Sequence, residues 1–182
     1  MKQQVKRIAV IGPESSGKSE LCSNLAQHFN TVWIREYARQ YLTDLKTPYC
    51  LHDIVTIYMH QFVQETEKLN SANKYLFTDT EFLMAKVWCE NAFTICPPEI
   101  EKMINRHPYD LYLLTAPDLP WEFDPLRENP GKGAYFFEWY KRLLDEKKLK
   151  YGIVSGEGEL RIRSALALME NHFSGLDYIK QF

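Results

Sequence analysis

Residues 5–19 read VKRIAVIGPESSGKS, a short β-rich run that ends at Gly12-Pro13 and passes directly into a helical pattern from Lys18 to about Phe29. Within it GPESSGKS, Gly12 to Ser19, satisfies G-x-x-x-x-G-K-[ST], with the strand before it and the helix after it that this pattern needs in order to hold phosphate. Gly12 and Gly17 let the backbone turn successive N–H groups toward phosphate oxygens, and the helix beginning near Lys18 adds its positive dipole end. Ser15, Ser16 and Glu20 complete the loop and the first helical turn around the nucleotide. Lys18 is expected to reach the β- and γ-phosphates of ATP, and Ser19 to ligate Mg²⁺. Glu14 repels a phosphate unless it turns away, and two directions are open to it: toward a phosphate acceptor, or to solvent.

Working outward, Thr31 to Ile34 reads as a second strand that stops at the charged segment REYAR, Arg35 to Arg39. His52 to Leu69 carries Ile54, Ile57, Tyr58, Phe62 and Val63 at helical spacing. Lys74 to Thr78 is a third strand, closed by Asp79-Thr80-Glu81 and followed by a helix through Phe82, Ala85, Lys86 and Cys89. After Pro97-Pro98 a helix runs to about His107, and Asp110 to Thr115 is nearly continuously apolar, as a strand buried on both faces must be. Pro117, Pro120, Pro125, Pro130, Gly131 and Gly133 make Ala116 to Gly133 a long loop or lid. Ala134 to Lys148 returns to helix, Tyr151 to Val154 is a fifth strand, and Glu157 to Phe173 is a last helix opened by Ser155-Gly156. Five strands separated by helices predict a three-layer α/β fold around a five-stranded parallel sheet, with the ligand at the carboxyl ends of the strands.

Composition bounds the rest. A chain of 182 residues with 45% hydrophobic content suits one globular domain spanning residues 1–182 and buries a core without disulfides or structural metal. A balance of 22 Lys+Arg against 24 Asp+Glu, net charge -2, offers no basic field for nucleic acid. Cys22, Cys50, Cys89 and Cys96 form no C-x-x-C pair and read as reduced thiols. No apolar leader opens the chain and no run approaches membrane-spanning length, so a soluble, cytoplasmic protein with a small-molecule partner is expected.

Two further carboxylates fall where such a fold places chemistry. Asp79 ends a strand, the position of an acid in the Mg²⁺ shell, or else caps the next helix; Glu36 follows strand two, as a base facing an acceptor hydroxyl, or else pairs with Arg35 and Arg39. Glu81 reads as a first-turn helix carboxylate. In or beside the lid, Arg127 and Arg142 are candidates to close over a transferring phosphate, and Lys132 reads as a solvated charge. Trp33, Tyr37 and Trp121 stand at strand ends or in the lid, where a flat base can stack. Trp88, Phe136, Phe137, Trp139 and Tyr140 have helical spacing and read as core or helix surface; His52, His60 and His107 read as helix or cap residues.

GPESSGKS, REYAR, FTDTE (Phe77 to Glu81) and PWEFDPLRE (Pro120 to Glu128), in this order and spacing, resemble the ribosylnicotinamide kinase domain of the NadR family of NAD-biosynthesis proteins. The resemblance runs from about Arg7 to Met169 and includes the weaker features Asp53, His60 and PYDLYLL. It implies a nucleoside-kinase-like P-loop fold that phosphorylates the 5′-hydroxyl of nicotinamide riboside with ATP. By position, Lys18 and Ser19 would then serve ATP and Mg²⁺, Glu36 and Asp79 the acceptor and metal, and Trp121, Asp124 and Arg127 the lid; Trp33, Tyr37, Arg39, Trp121 and Asp124 are the candidates to bind substrate.

The chain also departs from the family. Longer members carry an adenylyltransferase domain with H-x-G-H, and some a helix-turn-helix; neither pattern occurs here, so adenylyl transfer and repression are not implied. Arg35 stands where the family commonly has Trp, and Pro125 where its lid has Gly. An Arg35 guanidinium pointing into the pocket opposes a cationic pyridinium; the alternatives are a pair with Glu36 or Asp53, or the phosphates.

Overall fold

The structure is a computed structural model that describes residues 4–177; the absence of a leader, read in part from residues 1–3, lies outside the described residues. Five parallel strands, β1 (Lys6–Ile11), β2 (Trp33–Ile34), β3 (Tyr75–Asp79), β4 (Leu111–Thr115) and β5 (Tyr151–Val154), lie in the order β2-β3-β1-β4-β5. Parallel neighbours need crossovers, and helices supply them: α1 (Lys18–His28), α2 (Tyr37–Asp44), α3 (Leu51–Lys68), α4 (Phe82–Phe93), α5 (Pro98–Arg106) and α6 (Gly133–Glu146); α7 (Glu159–Asp177) follows β5.

Strand alternation assigns each face. Ile8 and Val10 of β1 turn toward Leu21 and Leu25 of α1 and Ala165 and Met169 of α7. Ala9 and Ile11 turn the other way, onto Leu83 and Val87 of α4 and Phe136, Leu143 and Leu144 of α6. Burial on both faces explains why these strands read as near-continuous apolar runs. A third apolar cluster, with Ala38, Ile54, Ile57, Ile100 and Ile104, packs α2, α3, α4 and α5 together beyond the sheet.

The expected elements are present, with ends shifted by a residue or a few, and Asp79 is the last residue of β3. The exception is α2, which the sequence reading left as a charged segment. Its apolar stripe, Ala38, Tyr41 and Leu42, occupies little more than one turn beside Arg35, Glu36 and Arg39, too short for periodicity to announce a helix. The segment from Ala116 to Lys132 holds no regular element, as its prolines require. The four cysteines are free thiols, and no described helix is long and apolar enough to cross a membrane.

At the amino-terminal edge of the sheet, Glu65 of α3 is 2% exposed. It accepts from Arg7 Nε at 2.5 Å and from the Tyr109 hydroxyl at 2.6 Å. This strut satisfies a buried carboxylate and fastens α3 to β1 and to the start of β4, at the end of the sheet remote from the phosphate loop.

Candidate active site

The loop between β1 and α1 is shaped by two positions that require glycine. A Cβ on Gly12 would fall 2.1 Å from Thr115 Oγ1, so the loop lies directly on the end of β4. Gly17, with φ 73°, takes the left-handed conformation at the N-cap of α1. Lys18 folds back so that Nζ donates to the Pro13 carbonyl at 2.9 Å, which holds the ammonium over the loop with its other hydrogens free for phosphate. Ser16 is buried; its hydroxyl donates to the Pro13 carbonyl and lies 2.6 Å from Thr115 Oγ1, so it braces the loop and leaves only backbone for a nucleotide.

Asp79 is 0% exposed and accepts from Ser19 Oγ at 2.5 Å. Its alternative role as a helix cap is taken by Glu81, whose carboxylate accepts from Leu83 N at 2.9 Å as the N-cap of α4, one residue ahead of the first turn expected for it. Burial pushes the Glu81 carboxyl up to about 8. Thr80, between the two acids, has φ 72° and donates its backbone N–H to the Val10 carbonyl at 3.0 Å, which holds this corner against β1.

Glu36 is the N-cap residue of α2 and lines the cavity. Burial first, and then the charge of Asp79, raise its carboxyl above the ordinary range; Lys18, Arg39 and Arg127 oppose that rise. Burial likewise raises Asp79, against the pull of Lys18 and the Ser19 hydrogen bond. Gln61 sets the two acids relative to one another: its amide donates to the carbonyls of Asp79 at 3.0 Å and Thr80 at 2.6 Å and accepts from Tyr37 N at 2.9 Å. Gln61 was missed by sequence reading, although a polar residue on the stripe Ile54, Ile57, Tyr58, Glu65 is the signal of a buried hydrogen-bonding role.

Arg161 was also missed, and no motif marks it. It is 4% exposed, and its guanidinium donates to the carbonyls of Ser16 and Ala116, each at 2.9 Å, to the Gly156 carbonyl, and to Asp118 at 2.8 Å. One side chain of α7 therefore clamps the phosphate loop, the end of β4 and the loop after β5.

The lid lies against the phosphate loop. The Glu14 carboxylate lines the cavity and is taken up by the lid: it accepts from the backbone N–H groups of Glu128 and Asn129 at 3.1 Å each and from Asn129 Nδ2 at 3.3 Å. Ser15, with φ 57°, shares a hydrogen bond of 3.1 Å with Glu122 N. Arg39 and Asp124, both expected to touch substrate, are ion-paired to each other at 2.7 Å and so tie α2 to the lid. Arg127 lines the cavity, with Nη1 donating to the Glu122 carbonyl at 2.6 Å. Arg142 pairs with Glu146 on α6 and Lys132 is solvated.

One cavity of about 610 Å³ joins the phosphate loop to Glu36, Arg39, Arg127, Asn91, Tyr58, Trp88, Phe136 and Tyr140. Trp33, Tyr37 and Trp121, expected to offer a stacking face, are not among the residues that line it. Trp33 packs on the core under the Arg35 guanidinium, 5.4 Å from its ring centroid; Tyr37 stacks on His60; Trp121 meets Phe123 edge-on, both exposed. Trp88, Phe136 and Tyr140, read as core or helix surface, present a face to the cavity instead. Helical spacing reports that a face is covered and does not distinguish packed protein from a ligand space.

A phosphate loop on the central strand of a parallel sheet, with Ser19 and an acid from the neighbouring strand beneath it, defines a P-loop nucleotide-binding domain of the architecture used by nucleoside and nucleotide kinases. Residues 7–161 match the AAA domain family, and the chain belongs to that family. It is homologous to the trifunctional NAD biosynthesis/regulator protein NadR of Salmonella typhimurium, 32% identical over 129 residues that cover 68% of this chain and 31% of the relative. The chain thus spans about a third of the length of that curated relative. Two structures of a NadR protein, one in complex with NR and one with NAD and AMP-PNP, align at TM-scores 0.76 and 0.75, with 23% and 22% identity. Each alignment covers 93% of this chain, and 52% and 50% of the respective NadR chains. Thymidylate kinase from Ehrlichia chaffeensis aligns at TM-score 0.66 and 11% identity, over 92% of this chain and 99% of its own.

Proposed function

We propose that this chain acts as a single kinase domain that transfers the γ-phosphoryl group of ATP to the 5′-hydroxyl of nicotinamide riboside. The observation that carries the proposal is the one cavity in which a phosphate loop faces an acid, Glu36, and an aromatic wall. The similarity to NadR, solved with NR in one structure and with AMP-PNP in another, supports the choice of acceptor and donor.

In this reading the loop N–H groups and Lys18 hold the β- and γ-phosphates. Ser19 and Asp79 are the hard oxygen donors that suit Mg²⁺, an ion that neutralises phosphate charge and commonly takes one or two carboxylates plus the phosphates themselves. Asp79 is buried beneath the cavity and committed to Ser19, whereas Glu36 opens onto it, so Glu36 is the base. Glu36 accepts the hydroxyl proton as the acceptor oxygen bonds to the γ-phosphorus and the bond to the β,γ-bridging oxygen breaks, leaving ADP. Arg127, held beside the loop by the lid, balances charge on the transferring group.

A pyridinium cation favours aromatic faces by about 0.5–2 kcal/mol and is repelled by nearby positive charge. Tyr58, Trp88 and Tyr140 supply such faces; Arg35 is not in the cavity wall, and Arg39, which is, has its charge paired with Asp124. The test is acceptor-dependent ADP release: nicotinamide riboside should stimulate it more than adenosine, uridine or thymidine. Equal stimulation by a neutral nucleoside refutes the acceptor while leaving a kinase; ATP binding that no acceptor stimulates refutes the kinase.

A further inference from the structure

An acid inside a phosphate loop needs a reason, because it faces the same field as the phosphates the loop is built to hold. The reason lies in what Glu14 grips. Its two carboxylate oxygens take three N–H donors from Glu128 and Asn129, the residues that follow Arg127. On the other side of Arg127, Ser15 holds Glu122, whose carbonyl accepts from the Arg127 guanidinium. Adjacent loop residues thus clasp the lid on both sides of its arginine.

Glu128 also reaches the other substrate end. Its carboxylate accepts from the Tyr49 hydroxyl at 2.8 Å, and that hydroxyl accepts from Trp88 Nε1 at 3.1 Å. Trp88 is an aromatic of the cavity wall, and Tyr49 comes from the segment between α2 and α3. An unbroken series of contacts therefore runs from Trp88 through Tyr49 and Glu128 to Glu14.

Resting on the kinase reading above, we infer that Glu14 is a positioning residue that latches the lid to the phosphate loop and sets Arg127, and that Tyr49 ties this latch to the acceptor wall. The latch draws on two charged acceptors, whose hydrogen bonds are about twice as strong as neutral ones. A small displacement of an aligned group costs up to about 10²-fold in rate, so the latch acts on kcat more than on the affinity of either substrate.

The experiment pairs hydrogen exchange with kinetics in Glu14→Gln and Tyr49→Phe. Glu14→Gln places an amide N–H₂ against N–H donors, and the Glu128 and Asn129 amides should exchange at least about tenfold faster in the free protein. Its kcat with nicotinamide riboside should fall about 10- to 100-fold, with KM for either substrate changed less than about threefold. Tyr49→Phe keeps the ring edge-on to Trp88 and Phe93 and should lower kcat about five- to tenfold, with melting temperature preserved. It serves alone if Glu14→Gln does not fold. Unchanged exchange at Glu128 and Asn129, or a kcat within twofold of wild type in the folded variants, overturns the latch. If the wild-type protein ignores nicotinamide riboside while Glu14→Gln shows the faster exchange, the acceptor assignment is overturned and the latch stands.

Discussion

Arg161→Met removes a buried fork that holds three carbonyls and Asp118 together while keeping most of the apolar volume of the stem. The three carbonyls do not suffer equally: Ser16 is buried, whereas Ala116 and Gly156 are partly open and can take water. One stranded carbonyl costs about 1–3 kcal/mol, and loss of a charge-assisted contact to Asp118 and the other acceptors adds about 1–2 kcal/mol, giving about 3 kcal/mol in all. For a protein of this size each kcal/mol moves Tm by about 2–4 °C, so the expected fall is about 6–12 °C by calorimetry or circular dichroism. Because the Ser16 carbonyl belongs to the phosphate loop, AMP-PNP affinity should also drop about tenfold by calorimetric titration. Arg163→Met on the same helix is the control. That residue is 68% exposed in an ion pair with Glu159, and its loss should change stability by less than about 0.5 kcal/mol. A Tm within 2 °C of wild type together with unchanged AMP-PNP affinity refutes the clamp.

Lys18→Ala should abolish phosphoryl transfer with Tm unchanged, and full turnover by the pure variant would refute the phosphate-loop assignment. Glu36→Gln should lower kcat by at least about 10²-fold with ATP affinity nearly intact; loss of Mg²⁺-ATP binding instead would reassign Glu36 to the metal. Trp88→Ala should raise KM for nicotinamide riboside more than it lowers kcat, whereas Trp121→Ala, outside the wall, should leave KM near wild type; the reverse pattern would restore the lid tryptophan as the stacking residue. Arg7→Met should strand the buried Glu65 carboxylate and destabilise by about 3–5 kcal/mol, and adding Glu65→Leu should recover part of that loss in denaturant titrations. Additive effects of the two changes would show that the pair does not act as a unit.

The phosphate loop, the five strands and the places of Ser19, Asp79 and Glu36 were legible because each rests on local pattern: glycines where the backbone must turn, apolar runs on strands buried twice, acids at strand ends. The wall of the cavity was not. Whether Trp33 or Trp88 faces the ligand depends on how α4 and α6 sit across the sheet, and both tryptophans have a covered face. Arg39 and Asp124, expected to touch substrate, meet each other, because sequence position does not decide partners among opposite charges. The donors that Glu14 meets could not be named from local pattern for the same reason: they lie more than a hundred positions away. Arg161 had no local signature at all, since a buried arginine is defined by the carbonyls that converge on it from three separate loops.

The central place of β1 also has a consequence for biosynthesis. The strand carrying the phosphate loop precedes both strands that flank it: β3 is complete at Asp79 and β4 at Thr115, so β1 waits through roughly 70 further residues for its first neighbour and roughly a hundred for its second. At typical elongation rates of about 5–20 residues per second the apolar run is bare of both neighbours for roughly 3–14 s and lacks the second for roughly 5–20 s. The site that reads as the start of the sequence is therefore among the last parts of the molecule to exist. Nucleotide can stabilise the finished domain, but it has no complete site on a nascent chain that ends before β4, so ligand cannot protect Arg7 to Ile11 at that stage of synthesis.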